Sequence, residues 1–146
     1  VVVTAGPGEG PLARAVAGRS GLPPSAVLGG AAPPPFDELC ALLAGARALV
    51  CGDTGPAHLA TALGTPSVVL FGPVAPRLWG PPPSPLHRAL WHGRYGDGVR
   101  PGDAHGGRPD ERLLRITVPE VLAALAGLPG PAAAPPPAPL TLGGTA

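Results

Sequence analysis

Asp53, Thr54, Gly55, Pro56 and His58 crowd into the stretch CGDTGPAHLATALGTPSVVLFGP, which runs from Cys51 to Pro73. An acid, a hydroxyl, a glycine and an imidazole lie where an apolar run gives way to a helical pattern. The first turn of a helix leaves N–H groups without partners, and the helix dipole puts partial positive charge there. Such an end accepts phosphate or carboxylate without a lysine. Gly55 allows close backbone approach, the Thr54 hydroxyl can donate to a phosphate oxygen, and His58 can add a hydrogen bond from the same end. Asp53, an anion, suits a hydroxyl, an amine or the ordering of its own loop. Local physics supports a second reading equally well: Asp53 or Thr54 caps the helix and His58 lies on the surface, since Asp and Thr are favoured caps.

A second candidate is Gly6-Pro7-Gly8-Glu9. Gly6 and Gly8 bring backbone near a ligand and Glu9 opens a helix, but Glu at a helix N-terminus is favourable with no ligand at all. The run is not a GxGxxG fingerprint, and a chain without lysine has no Walker lysine. No serine sits in a nucleophile elbow, so Asp53 with His58 has no nucleophile to activate. His87, His92 and His105 show no metal-ligand rhythm. No metal and no cofactor are expected.

These loops need strands and helices to hold them. Val1 to Ala5 is an apolar, β-branched run that predicts a strand buried on both faces. Leu12, Ala13, Val16 and Ala17 recur at helical spacing between Glu9 and Gly18. Ala26-Val27-Leu28 predicts a short strand. Phe36, Leu39, Leu42, Leu43 and Ala46 share one helical face. Ala48 to Cys51 predicts a strand, then a helix from Pro56 to Leu63 that stops at Gly64, then a strand from Ser67 to Phe71. The N-cap of that helix is Gly55 or Thr54. Further on, Ala89 to Trp91 and Leu113 to Ile116 predict short strands, and residues 92–112 a loop. Thr117 and Glu120 are spaced as a capping box that opens a helix from Val118 to about Leu125. The alternation predicts an α/β fold with a parallel sheet flanked by helices, whose ligands bind beyond the carboxyl ends of the strands. Residues 1–128 are expected to form one domain and 129–146, rich in Pro, Ala and Gly, a disordered tail.

Composition narrows the class. The chain has 146 residues and a net charge of +1, and its ten basic residues, all arginine, are scattered. That is not the basic stripe a nucleic-acid backbone needs, and 3% aromatics leave little for base stacking. No apolar run approaches the roughly 20 residues of a membrane span. Nucleic acid and a transmembrane segment are therefore excluded as expectations. Cys40 and Cys51 lack CxxC spacing; counting alone allows one disulfide, and the expectation is buried free thiols in a reducing compartment. The sequence holds no Met and is expected to be part of a longer or processed protein.

The order of residues adds a resemblance. DTGPAHLATALGTPSVVLFGP (Asp53–Pro73), followed by PRLWGP (Pro76–Pro81), resembles the signature of glycosyltransferase family 9, the ADP-heptose:lipopolysaccharide heptosyltransferase family. TAGPGE (Thr4–Glu9) is similar to the family's upstream motif, and TVPEVLAAL (Thr117–Leu125) to its closing helix, so the likeness covers roughly residues 1–126. It implies a GT-B enzyme of two Rossmann-like domains, of which this chain is the C-terminal, donor-binding half, N-terminally incomplete. It implies metal-independent transfer of a sugar, heptose above all, from ADP-heptose or another nucleoside-diphosphate sugar to a glycan or glycolipid acceptor, in lipopolysaccharide biosynthesis. Asp53, Thr54, Gly55, Pro56 and His58 match the positions that hold the donor diphosphate and sugar. Gly8 and Glu9 match those near the nucleoside, with Glu9 on its ribose. The catalytic base is expected in an acceptor domain outside this sequence, so the chain alone is expected not to turn over. The resemblance further implies a monomeric, cytoplasmic protein that works at the inner face of the membrane. The alternative is a nucleotide-sugar-binding module without transfer.

Overall fold

The computed structural model describes residues 1–94 and 108–130. The centre of the expected 92–112 loop and nearly all of the expected tail lie outside the described residues, as does His105. The chain divides into two compact units, Val1–Leu42 and the part from Leu43 onward.

In the first unit, β1 (Val3–Ala5) leads through the Gly6–Glu9 turn into α1 (Gly10–Arg19). A 3₁₀ turn (Pro24–Ala26) then feeds β2 (Val27–Gly29), which pairs parallel with β1 in the register Val3↔Val27 to Ala5↔Gly29. The expectation that β1 is buried on both faces holds only in part. Ala5 is buried, but Thr4 and Val2 are exposed and Val1 is 99% exposed. Val1 and Val2 precede the paired residues, and among the described residues β1 has a strand on one side only. α1 packs Ala13 and Ala17 inward; these small residues bring helix backbone close to the strands. α2 (Phe36–Ala44) follows, two residues shorter than its apolar pattern, with Asp37 and Glu38 in the first turn, where the dipole favours them.

The second unit is built on a three-stranded parallel sheet, β3 (Leu49–Gly52), β4 (Ser67–Leu70) and β5 (His87–Leu90), with β4 in the middle. The register aligns Leu49 with Ser67 and His87, and Gly52 with Leu70 and Leu90. β4 is flanked on both sides, and Ser67, Val68 and Val69 are fully buried. α3 (Gly55–Leu63) connects β3 to β4 and ends at Gly64, as its sequence predicts. A short α4 (Pro76–Trp79), not foreseen from the sequence, follows β4.

Leu113 to Ile116 is not a strand. α5 (Glu111–Leu114) occupies it, because Asp110 acts as N-cap: its carboxylate accepts from the Arg112 backbone N–H at 2.9 Å and from the Arg112 side chain at 2.8 Å. α6 (Val118–Ala126) opens on the predicted capping box. The Thr117 hydroxyl accepts from the Glu120 N–H, and the Glu120 carboxylate accepts from the Thr117 N–H at 2.7 Å. The architecture is α/β, with parallel sheets flanked by helices. Among the described residues no helix is long and apolar enough to cross a membrane.

Candidate functional site

In the second unit all three strands run in one direction, so their carboxyl ends share one edge. Asp53, Phe71 and Trp91 each follow the last paired residue of their strand, Gly52, Leu70 and Leu90. Strand periodicity puts Cys51, Val69, Phe71 and Trp91 on one face. There Val69 and Phe71 form a buried cluster with Ala57 of α3, and Cys51 and Trp91 pack against it.

The open edge above that cluster holds the residues singled out from the sequence. Thr54 is the N-cap of α3 in extended conformation, and Gly55 and Pro56 occupy the first two helical positions. No side chain caps the helix. The Thr54 hydroxyl donates backwards to the Gly52 carbonyl at 3.3 Å instead. Its backbone carbonyl accepts from the Ala57 N–H at 2.9 Å. A plain capping role for Asp53 or Thr54 is thus absent from this structure.

The Asp53 side chain is 14% exposed, and its Oδ1 stands 3.9 Å from Nε2 of His58, whose side chain is 62% exposed. That distance is an ion-pair contact rather than a hydrogen bond. Among the described residues no group donates a hydrogen bond to this carboxylate. Burial raises its pKa above the ordinary aspartate value, and the nearby His58 partly offsets the shift. Beneath it, the Cys51 thiol is pushed up to about 11, chiefly by burial, with Thr54 pulling it down and the Asp53 charge adding to the rise. Cys51 is therefore a protonated, inert thiol at neutral pH. Both cysteines are free and half-buried rather than fully buried. Among the described residues no cluster of His, Cys, Asp or Glu could hold a metal ion.

The other candidate loop lies in the first unit. Gly6 to Glu9 form a tight turn closed by the Glu9 N–H to the Gly6 carbonyl at 3.1 Å. Pro7 sits at the second position and Gly8 at the third with φ 82°, the signature of a type II turn, which requires the left-handed region there. Glu9 is the N-cap of α1, yet its carboxylate does not cap it. Oε2 accepts from the Gly6 N–H at 2.7 Å, so the side chain is folded back over the turn. Beside it a groove of about 170 Å³ runs between β1 and α1, lined by Val3, Thr4, Ala5, Leu12, Ala13 and Val16.

Two residues at the strand edge escaped the sequence reading. The indole N–H of Trp91 donates to the Gly72 carbonyl at 3.0 Å, and His92 Nε2 meets Glu120 Oε1 at 2.8 Å. Trp91 passes in the sequence for the last residue of a strand. Only the register with Asp53 and Phe71 brings it to the edge.

Residues 12–97, more than half of the chain, match the sequence model of glycosyltransferase family 9 (heptosyltransferase). The chain belongs to glycosyltransferase family 9. The matched span contains the whole of β3, the Asp53–His58 loop, α3, β4 and β5. No curated protein matches the chain, and no solved structure does. Family 9 membership makes the chain a glycosyltransferase sequence, with a nucleotide-sugar donor and an acceptor as the partners that this chemistry requires.

Proposed function

We propose that the chain is the donor-binding, C-terminal half of a GT-B glycosyltransferase, and that the open edge of β3, β4 and β5 receives the diphosphate and sugar of an ADP-sugar, with heptose as the sugar. The observation that carries this reading is the uncapped start of α3 within the family-matched span. Its first-turn N–H groups are not covered by a side chain, and a hydroxyl, an imidazole and an unbonded carboxylate surround it. In sugar transfer the bond from the anomeric carbon to the diphosphate breaks, and negative charge grows on the departing phosphate. The α3 N-terminus, the Thr54 hydroxyl and His58 are suited to stabilise that charge, and prearranged donors of this kind contribute most in the transition state. Asp53 is assigned to a sugar hydroxyl, which would supply the hydrogen bond its carboxylate lacks. Gly8 shapes the turn that presents Glu9, and Glu9 is assigned to the ribose. The base that deprotonates the acceptor is assigned to an acceptor-binding domain, so residues 1–128 bind donor without transferring it.

Calorimetric titration of the chain with ADP tests the reading. Removing one hydrogen-bond donor to the diphosphate, as in His58→Ala, should weaken ADP about tenfold, the equivalent of one hydrogen bond. An unchanged affinity in that variant would remove His58 and the α3 terminus from the site. Trace transfer activity by the full-length enzyme, abolished by Asp53→Asn, separates a transferase from a binding module.

A further inference from the structure

Trp91 joins several elements at the end of β5. Its ring packs against the cluster of Ala57, Val69 and Phe71, and Ala57 lies between Pro56 and His58 in the first turn of α3. Its N–H is fixed on the carbonyl of Gly72, a buried residue in the loop after β4. Gly72 itself is closely covered, since a Cβ there would press on Leu113 and Asp110. On the other side the chain folds back over the indole. A Cβ on Gly93 would be driven into the six-membered ring of Trp91, so only glycine fits. The residue between them, His92, is tied to Glu120 in the first turn of α6. The exit of β4, the start of α6 and the buried cluster that includes Ala57 of α3 thus meet at residues 91–93.

We propose that Trp91 is a positioning residue for the Asp53–His58 loop, held in place by Gly93 and acting through the buried cluster that includes Ala57 of the first turn of α3. The loop carries the groups that need a fixed geometry, yet few bonds of its own hold it. The Thr54 hydroxyl bonds back to the Gly52 carbonyl and lies against the Cys51 thiol, and Asp53 and His58 make one long contact. Beneath the loop the indole is held twice, by the Gly72 carbonyl and by Gly93. That this loop binds donor rests on the reading given above. That Trp91 positions it does not.

Amide hydrogen exchange on the intact chain decides the matter. Trp91→Phe keeps a ring on the cluster but leaves the Gly72 carbonyl without its donor. The amides of residues 57–59, beginning with the Ala57 N–H on the Thr54 carbonyl, should exchange at least about tenfold faster, while those of Val68 and Val69 in β4 keep their rates. Trp91→Ala, which could unfold the unit, is not needed for the test. Gly93→Ala should produce the same local acceleration by displacing the indole. In the Trp91→Phe background it should add little, because the atoms it collides with are gone, so the two effects are non-additive. Unchanged exchange at 57–59 in Trp91→Phe, or equal acceleration through β4, would overturn the proposal, the second result marking Trp91 as ordinary packing. ADP titration of the same proteins reports separately. If His58→Ala binds ADP as the wild type does, the donor reading fails, while the exchange data still decide the role of Trp91.

Discussion

At the scale of single residues, Asp53 is the most informative. A capping carboxylate stabilises its fold, and losing it costs about 1 kcal/mol. Asp53 does the opposite: burial holds its pKa above the ordinary value, so its ionised form is unfavourable in the folded chain. The folded state binds the proton more tightly than the unfolded one. Stability therefore improves as the pH falls through the folded-state pKa, and the ionised group is a cost at neutral pH. Asp53→Asn should match or exceed the wild-type melting temperature at pH 7, and the difference should shrink in acid. Thermal melts at pH 7 and pH 4 check it. A lower melting temperature at pH 7 would return Asp53 to a structural role. Gly8 is the contrasting case. Its φ of 82° is closed to ordinary side chains and nothing crowds the site, so Gly8→Ala should cost about 1–2 kcal/mol through backbone strain alone, read from urea midpoints.

At the scale of elements, the start of α6 gathers three groups on one carboxylate. Glu120 accepts from the Thr117 N–H and hydroxyl, both at 2.7 Å, and from His92. These bonds lower its pKa, the Thr117 side chain most of all. The stabilisation is present above the ordinary glutamate value of 4.5 and is lost as the pH falls through the lower, folded-state value. Thr117→Ala should cost about 1 kcal/mol, measured by urea unfolding at pH 7, and should lose part of that effect in strong acid. The capping box was legible because its two residues are three apart and its bonds are local. So were β3, α3 and β4, each bounded by a glycine or proline and uniform in pattern. Leu113 to Ile116 misled because three apolar residues in four fit a strand. The deciding feature was Asp110, whose carboxylate folds onto Arg112 and starts a helix before the apolar residues. α4 is a single turn and too short for any periodicity. Within the candidate site, the loop residues could be read from the sequence, since a strand end and a helix start are local. The contacts of Trp91 with Gly72 and of His92 with Glu120 span 19 and 28 residues, and they depend on strand register and helix docking.

At the scale of the molecule, the three-stranded sheet has two ends with opposite demands. Among the described residues the carboxyl end carries a carboxylate, Asp53, that accepts no hydrogen bond. The amino end is closed by a buried polar pair: Ser67 Oγ lies 2.9 Å from His87 Nδ1, and the two residues are partners in the β4–β5 register. Ser67 is fully buried and His87 is 9% exposed. Burial lowers the His87 pKa below its ordinary 6.5, so the folded chain holds the imidazole neutral while the unfolded chain protonates it. Between those two values the unfolded state binds more protons. Stability contributed above about pH 6.5 is therefore lost as the pH falls toward the folded-state value. β4 is the central strand, so weakening its junction with β5 affects the whole sheet rather than an edge. His87→Gln keeps a hydrogen-bonding partner for Ser67 but cannot take up a proton. The wild type should lose more of its urea midpoint between pH 7.5 and pH 5 than His87→Gln does. Equal losses in wild type and His87→Gln would place the acid sensitivity elsewhere in the chain. The expected result would place acid-driven destabilisation at the amino end of the sheet, where the fold holds a neutral imidazole.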